Sequence, residues 1–312
     1  MGTFLITLIA VAVLLATAVP GYILQKKKLV SDKCMSDLSK VLLYACQPCL
    51  AIYTFESTEF SVEKLRQMGV FVLLAIAIHA VMLGASVLIL HRKFSDAAYR
   101  VMCIGTTFAN CAFFGIPIIE ALLPESAADL IIFTTVYALV MNILGWTVGS
   151  SIISGDSKYT SVKKILINPA TIGTFLALLL FILPISLPTQ LTSMIAIIGR
   201  MTTPVSMFIM GMRLATTKFG EVFGSVRPYA TSLIKLVLMP AIALLILLPL
   251  PLPTEVKQTF YIICASPSAS IVLNFSELVG KGQKDAAATV LLSTIISIIT
   301  LPLMMLLLPL LM

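Results

Sequence analysis

The stretch ANCAFFGIPIIEALLP, from Ala109 to Pro124, lies inside an apolar run and carries residues that a membrane helix tolerates poorly. Pro117 has no backbone N–H, and its ring clashes with the carbonyl of Phe113, while Gly115 weakens the same turn. In hydrocarbon each unpaired backbone group is costly, so irregular backbone persists only beside protein or a water-filled cavity. The stretch therefore predicts a membrane helix that is interrupted next to such a cavity.

The composition indicates that lipid is the solvent for most of the chain. Of its 312 residues, 59% are hydrophobic and only 11% are charged, whereas soluble domains carry about 25% charged residues. Apolar runs long enough to span a hydrocarbon core recur along the whole length, which predicts an all-α polytopic membrane protein. The ten predicted spans lie at residues 3–24, 36–55, 67–90, 99–123, 127–153, 162–183, 190–212, 227–249, 257–279 and 285–309. The first run lacks a positively charged start, so we interpret it as a retained span rather than a signal peptide.

Basic residues alternate between the loops that join these spans. Sixteen of them lie in the odd-numbered connections, whereas the even-numbered connections hold only Lys64, Arg66 and Lys257. The positive-inside rule therefore predicts odd-numbered loops in the cytoplasm and both termini outside, in the plasma membrane (the inner membrane of a bacterium). Topology then accounts for the net charge of +7, so no nucleic-acid partner is expected.

The two halves of the chain, residues 1–153 and 154–312, each contain five predicted spans. Because five is odd, the second half must cross the membrane in the opposite sense, which is an inverted repeat. Three pairs of residues support this by recurring at offsets of 150 to 156 positions: Pro48 with Pro204, Pro117 with Pro267, and His79 with Lys235. The fourth and ninth spans are thus predicted to be equivalent broken helices.

A second interruption is predicted in CASPSASIVLNF, residues 264–275, where serines flank Pro267. The half-helices that start near Pro117 and near Pro267 each offer free N–H groups and a partial positive charge. In an inverted repeat these two starts can face one pocket in the middle of the membrane, and such a pocket suits a carboxylate. The alternative is that both prolines are ordinary kinks, which are common in membrane helices.

Several motifs resemble those of one transporter family. ANCAFFGIPII resembles the Asn-x-x-x-x-Gly-Ile-Pro signature of the auxin efflux carrier family, which includes bacterial malate and malonate permeases. SPSASIVLNFSELVG and the following AAATVLLSTIISIITLPLM are similar to the ninth and tenth helices of that family. TTPVSMFIMGMRL resembles the seventh helix and LIKLVLMPAIALL the eighth, so the likeness extends over nearly the whole chain.

The resemblance implies ten helices in a five-plus-five inverted repeat, with helices 4 and 9 broken and crossing at the substrate site. It also implies a scaffold of helices 1, 2, 6 and 7, a moving transport domain of helices 3–5 and 8–10, and elevator-type alternating access. A homodimer would form through the scaffold. The matching motifs give these expected substrate-binding residues: Asn110, Cys111, Gly115, Ile116, Pro117, Ser266, Pro267, Ser268, Ser270 and Asn274.

Residues next to the prolines of the second and seventh spans are expected on the scaffold side of the same site. These are Gln47, Pro48, Thr203 and Pro204. Arg200 lies in the seventh span, where an arginine must face protein or water because its insertion is costly. Two roles stay open for Arg200: it pairs with an anionic substrate across the scaffold–transport boundary, or it pairs with a helix-end carbonyl or Glu120.

Three further ionisable residues are expected to act electrostatically or in ion coupling. Lys235 lies in the eighth span, where its match to the family places it beside the crossing. His79 is central in the third span, where it either bonds a neighbouring helix or takes part in proton coupling. Glu120 lies in the first turn after Pro117, a position at which the helix dipole favours a carboxylate, and it is otherwise a cap near the outer surface.

The sequence therefore predicts a secondary-active or facilitative transporter of a small organic anion, with proton, sodium or no coupling left open. No nucleotide-binding motif is present in the sequence, and neither a cofactor nor a metal is expected. The alternative is a sodium-coupled organic anion symporter of the bile-acid/sodium symporter type, since the Ser- and Asn-rich breaks supply oxygens for a cation. An intramembrane enzyme is disfavoured because the sequence has no HExxH motif, and CQPC at 46–49 is interpreted as helix packing.

Overall fold

The structure is a computed structural model, and it describes residues 2–31, 33–156, 158, 167–183 and 185–312, without the side chains of Phe219 and Glu221. In these ranges the chain is helical and forms no strand, apart from one isolated β-bridge. The start of the sixth predicted span, residues 162–166, lies outside the described residues. The same holds for two of the basic loop residues, Lys163 and Lys164.

The described ranges contain twelve principal helices. In chain order they are α1 (Thr3–Lys26), α2 (Cys34–Glu56), α3 (Val62–Lys93), α4 (Ala97–Gly105), α5 (Cys111–Leu122), α6 (Ala127–Ser154), α7 (Pro169–Ile182), α8 (Thr189–Thr216), α9 (Val226–Leu247), α10 (Thr254–Ala265), α11 (Ile271–Val279) and α12 (Gln283–Met305). Seven of these, α1, α2, α3, α6, α8, α9 and α12, are long and apolar enough to cross a membrane.

The other helices are shorter and occupy three of the predicted spans. The fourth predicted span contains α4 and α5, and the ninth contains α10 and α11. The described part of the sixth span is the 14-residue α7. The prediction of an all-helical membrane protein is confirmed, whereas the count of ten spans and the inverted repeat stay predictions.

Three prolines inside these helices are accommodated by a widened turn. Each follows, by two residues, a five-residue π-helical segment: Pro48 after Leu42–Cys46, Pro117 after Cys111–Gly115, and Pro240 after Ile234–Leu238. A π turn makes room for a ring that donates no hydrogen bond, so the helix continues past it. A regular α-helix does start at Ile116, next to Pro117, but it continues from the π-helical segment that begins at Cys111, so the interruption itself lies before Cys111.

Glycines allow the backbones of α1 and α8 to touch. A Cβ atom placed on Gly211 of α8 would lie 1.9 Å from the carbonyl oxygen of Ala18, and one on Gly21 of α1 would lie 2.2 Å from that of Phe208. Small residues drive helix association in membranes by permitting this close approach. Gly173 of α7 packs in the same way against α2, where its Cβ would lie 2.6 Å from Cα of Pro48. Gly199 of α8 joins the two pairs, because its Cβ would lie 2.9 Å from Cα of Leu50 in α2, so these contacts group α1, α2, α7 and α8.

Candidate functional site

Two non-helical segments meet inside the helical structure. Residues 106–110 separate α4 from α5, and residues 266–270 separate α10 from α11. The two segments run antiparallel, and Ala109 and Ser268 form the isolated β-bridge between them. We call these two segments the crossing.

Each segment of the crossing pairs the backbone groups of the other. The N–H of Asn110 donates to the carbonyl of Pro267 at 2.7 Å, and the N–H of Ala269 donates to the carbonyl of Phe108 at 2.9 Å. Irregular backbone in a membrane needs partners of this kind, because hydrocarbon supplies none. The two breaks therefore satisfy each other where a single break would leave polar groups unpaired.

Side chains tie the crossing to the helices around it. The Ser268 hydroxyl donates to the carbonyl of Gly105 at 2.8 Å, at the end of α4. The N–H of Ser268 in turn donates to the Ser293 hydroxyl of α12 at 3.1 Å. All three residues are buried, so these bonds fix the position of the second segment.

Four helix ends converge on the crossing. The helices α5 and α11 begin there, at Cys111 and Ile271, and α4 and α10 end there, at Gly105 and Ala265. Helix starts carry partial positive charge and helix ends partial negative charge. The crossing therefore offers electropositive ends that suit an anion and electronegative ends that suit a cation.

A cavity of about 490 Å³ reaches the crossing, and we call it the crossing cavity. Five of the predicted site residues line it: Gln47, Asn110, Cys111, Ser270 and Asn274. Gln47 comes from α2, whereas the other four come from the crossing and the starts of α5 and α11. The cavity thus lies between the group of α1, α2, α7 and α8 and the helices that carry the crossing.

Asn110 is the most informative residue of this cavity. Its side chain is almost fully buried, with 3% of the residue exposed, and its Nδ2 atom has no hydrogen-bond partner among the described residues. A buried amide donor normally has a partner, and each exception needs an explanation. Here the donor belongs to a residue that lines the cavity, and the Nδ2 atom itself is buried, so an acceptor bound in the cavity would supply the missing partner once the amide turns toward it.

A second cavity, of about 960 Å³, is lined by residues of α1, α2, α5, α6 and α8 and by none of the crossing. It is lined by six further residues that the sequence assigned to the site or to electrostatic roles: Ile116, Pro117, Glu120, Arg200, Thr203 and Pro204. The structure therefore divides the predicted residues between two cavities. Gly115, Ser266, Pro267, Ser268 and Pro48 line neither of them.

Arg200 contacts an aromatic residue in this second cavity. Its guanidinium donates to the Tyr53 hydroxyl and lies 5.1 Å from the centre of the Tyr53 ring. Among the described residues it forms no ion pair with Glu120. The expectation of a structural pairing with Glu120 or with a helix-end carbonyl is therefore wrong, because Tyr53 of α2 is the partner.

His79 and Lys235 are fully buried and line neither cavity. The Nδ1 atom of His79 lies 2.6 Å from the carbonyl oxygen of Ala75, one turn earlier in α3. The Lys235 ammonium donates to the carbonyls of Cys264 at 2.8 Å and Ser266 at 2.6 Å. Lys235 thus contacts the crossing directly from α9.

Two groups near the crossing were missed from the sequence. Arg213 of α8 and Glu277 of α11 line the crossing cavity and form an ion pair at 2.8 Å, but from the sequence Arg213 was counted only as a basic loop residue and Glu277 was not assigned to the site. Ser293 of α12 is one of several serines and threonines in its helix. No local pattern distinguishes it, because its role depends on the segment that packs against it.

Two comparisons with known proteins bear on this site. A family model described as "Membrane transport protein" matches residues 6–305, which is almost the whole chain. A search of curated proteins found no match. The matched range includes both segments of the crossing and all residues that line the crossing cavity.

Proposed function

Because the chain belongs to the membrane transport protein family, we propose that it carries a small organic carboxylate across the bilayer by way of the crossing. Membership confirms the family to which the sequence motifs pointed, and it confirms the prediction of a multi-pass membrane transporter. Our proposal also includes three finer points: the bacterial malate and malonate permease-like branch, the substrate and the mechanism.

The observation that carries the proposal is the unpartnered Nδ2 donor of Asn110 at the start of α5. Helix starts bind anions because their N–H groups and partial positive charge point at the ligand. A hydrogen bond to a charged group contributes about 1.5–3 kcal/mol. An amide donor beside two helix starts therefore supplies carboxylate affinity without a buried cation in contact with the substrate.

The charged residues of the crossing cavity are already paired. Lys40 and Arg213 are the basic residues among its described lining, and Glu277 is the acidic one. Arg213 is bonded to Glu277 and Lys40 to Asp37, each at 2.8 Å, so Glu277 offers no free carboxylate to an organic cation. The preference for a carboxylate therefore rests on the two helix starts and the Asn110 donor.

We assign the moving and fixed parts as the family resemblance implies. The helices α1, α2, α7 and α8 form the scaffold, and their glycine-mediated contacts support this grouping. The helices α3–α6 and α9–α12 form the transport domain, within which Ser293 of α12 bonds the crossing and Ser86 of α3 bonds Thr106 at 2.9 Å. Elevator-type movement of this domain past the scaffold would carry the crossing and its substrate together.

Orientation and assembly complete the proposal. The crossing cavity is lined by Lys40 and Arg213, which belong to the basic clusters that the positive-inside rule places in the cytoplasm. The cavity would then open to the cytoplasm of a plasma-membrane protein with ten spans and both termini outside. The scaffold helices would form the interface of a homodimer.

The test is an uptake screen with purified protein in liposomes. Radiolabelled malate, malonate and indole-3-acetate are supplied under proton or sodium gradients, and malonamide serves as the uncharged matched control. We expect uptake of at least one carboxylate above protein-free liposomes and none of malonamide. Uptake of neutral solutes or organic cations without any carboxylate would refute the proposal.

A further inference from the structure

Lys235 places a full positive charge at the crossing, away from both cavities. Its side chain extends from the π-helical segment Ile234–Leu238 of α9 and is completely buried. Because it lines neither cavity, its ammonium does not contact a substrate held at Asn110. The hydrogen bonds of its Nζ atom therefore indicate its role.

The partners of Lys235 are the carbonyl oxygens where α10 ends. Cys264 lies in the last turn of α10, and Ser266 is the first residue of the following non-helical segment. Carbonyls at a helix end lack intrahelical partners, and the helix dipole concentrates partial negative charge there. The Lys235 ammonium donates to both carbonyl oxygens, of Cys264 at 2.8 Å and of Ser266 at 2.6 Å, and it places a positive charge at this negative helix end.

The balance of charge around Lys235 comes from these dipoles. No aspartate or glutamate is among the buried residues in the part of the chain that the structure describes. A buried ammonium without a carboxylate partner is costly to desolvate, and that cost is offset only by strongly directed carbonyl oxygens. The arrangement is therefore a cation site built from backbone oxygens, and a tethered cation occupies it.

We infer that the Lys235 ammonium takes the place of a monovalent coupling cation, so that transport needs no sodium gradient. In secondary transporters with broken helices, unwound carbonyls and the C-terminal ends of half-helices coordinate the coupling ion. Carbonyl oxygens bind alkali-metal ions by replacing their hydration shell. The oxygens that would do so here are already bonded to Nζ, and removal of the lysine would open the site to a sodium-sized cation.

Two substitutions separate the charge of Lys235 from its bulk. Lys235→Ala removes the ammonium and leaves space, whereas Lys235→Met removes the charge and fills the space with a side chain of similar length. The purified proteins are heated in detergent with sodium, lithium, potassium or choline chloride at equal ionic strength, and unfolding is followed by fluorescence. This readout involves no carboxylate, so it is independent of the proposed transport function.

We expect the Lys235→Ala protein to melt at least about 3 °C higher in sodium than in choline, because an ion that binds only the folded state stabilises it. Wild type and Lys235→Met are expected to melt at the same temperature in both salts. A sodium response of Lys235→Met as large as that of Lys235→Ala would contradict the inference. So would the absence of any cation response in Lys235→Ala.

Flux measurements extend the test and rest on the proposed function. Wild-type carboxylate uptake should be equal in sodium and choline, and this comparison does not depend on the folding of any variant. Uptake by Lys235→Ala in choline should fall below about one tenth of wild type, a loss that corresponds to about 1.4 kcal/mol in the barrier, and sodium should restore it at least about threefold. Sodium-dependent uptake by the wild-type protein would overturn the inference and favour a sodium symporter.

Discussion

Replacement of Asn110 separates its part in the fold from its proposed part in substrate binding. The fold uses the backbone of this residue: its N–H donates to Pro267, and its carbonyl accepts from Gly115 at 3.1 Å. The Nδ2 atom has no partner in the described structure. Asn110→Ala keeps the backbone bonds and removes the side-chain amide with its free donor, so we expect the melting temperature to change little.

The expected loss of carboxylate affinity in Asn110→Ala follows from the loss of the Nδ2 hydrogen-bond donor. A hydrogen bond to a charged acceptor contributes about 1.5–3 kcal/mol, and about 1.4 kcal/mol corresponds to a factor of ten. Asn110→Ala should therefore raise the apparent dissociation constant for a carboxylate about 10- to 150-fold. Asn110→Asp keeps the shape but places a negative charge beside the substrate, so it should lose more affinity than Asn110→Ala.

The assay is the concentration dependence of carboxylate uptake in proteoliposomes, combined with thermal unfolding of each variant. Asn142→Ala is the matched control, because Asn142 lines the same cavity from α6 but does not lie at a helix start. Its affinity should stay within about threefold of wild type, a change of less than about 0.7 kcal/mol. Wild-type affinity in both Asn110 variants would refute the assignment of Asn110, and strong destabilisation of Asn110→Ala would instead show that its side chain is structural.

Two further variants probe the packing and the second cavity. Gly211→Ala should lower the melting temperature, because its Cβ would lie 1.9 Å from the Ala18 carbonyl oxygen and such overpacking costs about 1–3 kcal/mol. Gly84→Ala is the control, because a Cβ at Gly84 meets no atom within 4 Å. Equal melting temperatures of the two variants would contradict the α1–α8 contact. Arg200→Gln should change the KM for carboxylate uptake less than about threefold, or about 0.7 kcal/mol. The reason is that Arg200 stacks on Tyr53 outside the crossing cavity. An increase of the KM above about tenfold would place Arg200 in the substrate site.

The sequence predicted an interruption near each segment of the crossing, but of the residues expected at the fourth-span break only Asn110 lies in the segment 106–110. Asn110 and Pro267 were predicted at the breaks, and their backbones are hydrogen bonded to each other. Pro117 did not mark the break, because a missing backbone N–H predicts an irregular helix turn without predicting its geometry. A π turn absorbs it in α5, and that choice depends on how the turn packs.

The distribution of residues between cavities could not be predicted. Sequence spacing places Asn110 and Pro117 in one motif, yet they line different cavities, because the packing around α5 decides which of its residues face which cavity. The ion pair between Arg213 and Glu277 was missed for a related reason. The two residues are 64 positions apart, and only the tertiary structure places them in the lining of one cavity.

The central claim is that the two segments of the crossing form one unit, which holds the substrate and moves with it. In a non-hydrogen-bonded antiparallel pair such as Ala109 and Ser268, Cα atoms lie about 4.5 Å apart, which is within reach of a disulfide. The direct measurement is oxidation of the Ala109→Cys/Ser268→Cys double variant in liposomes, with mass spectrometry of the bond and carboxylate uptake before and after reduction. We predict that the bond forms and that uptake by the oxidised protein stays within about twofold of the reduced protein, a difference of about 0.4 kcal/mol. Failure of the bond to form, or uptake that oxidation abolishes and reduction restores, would contradict this claim.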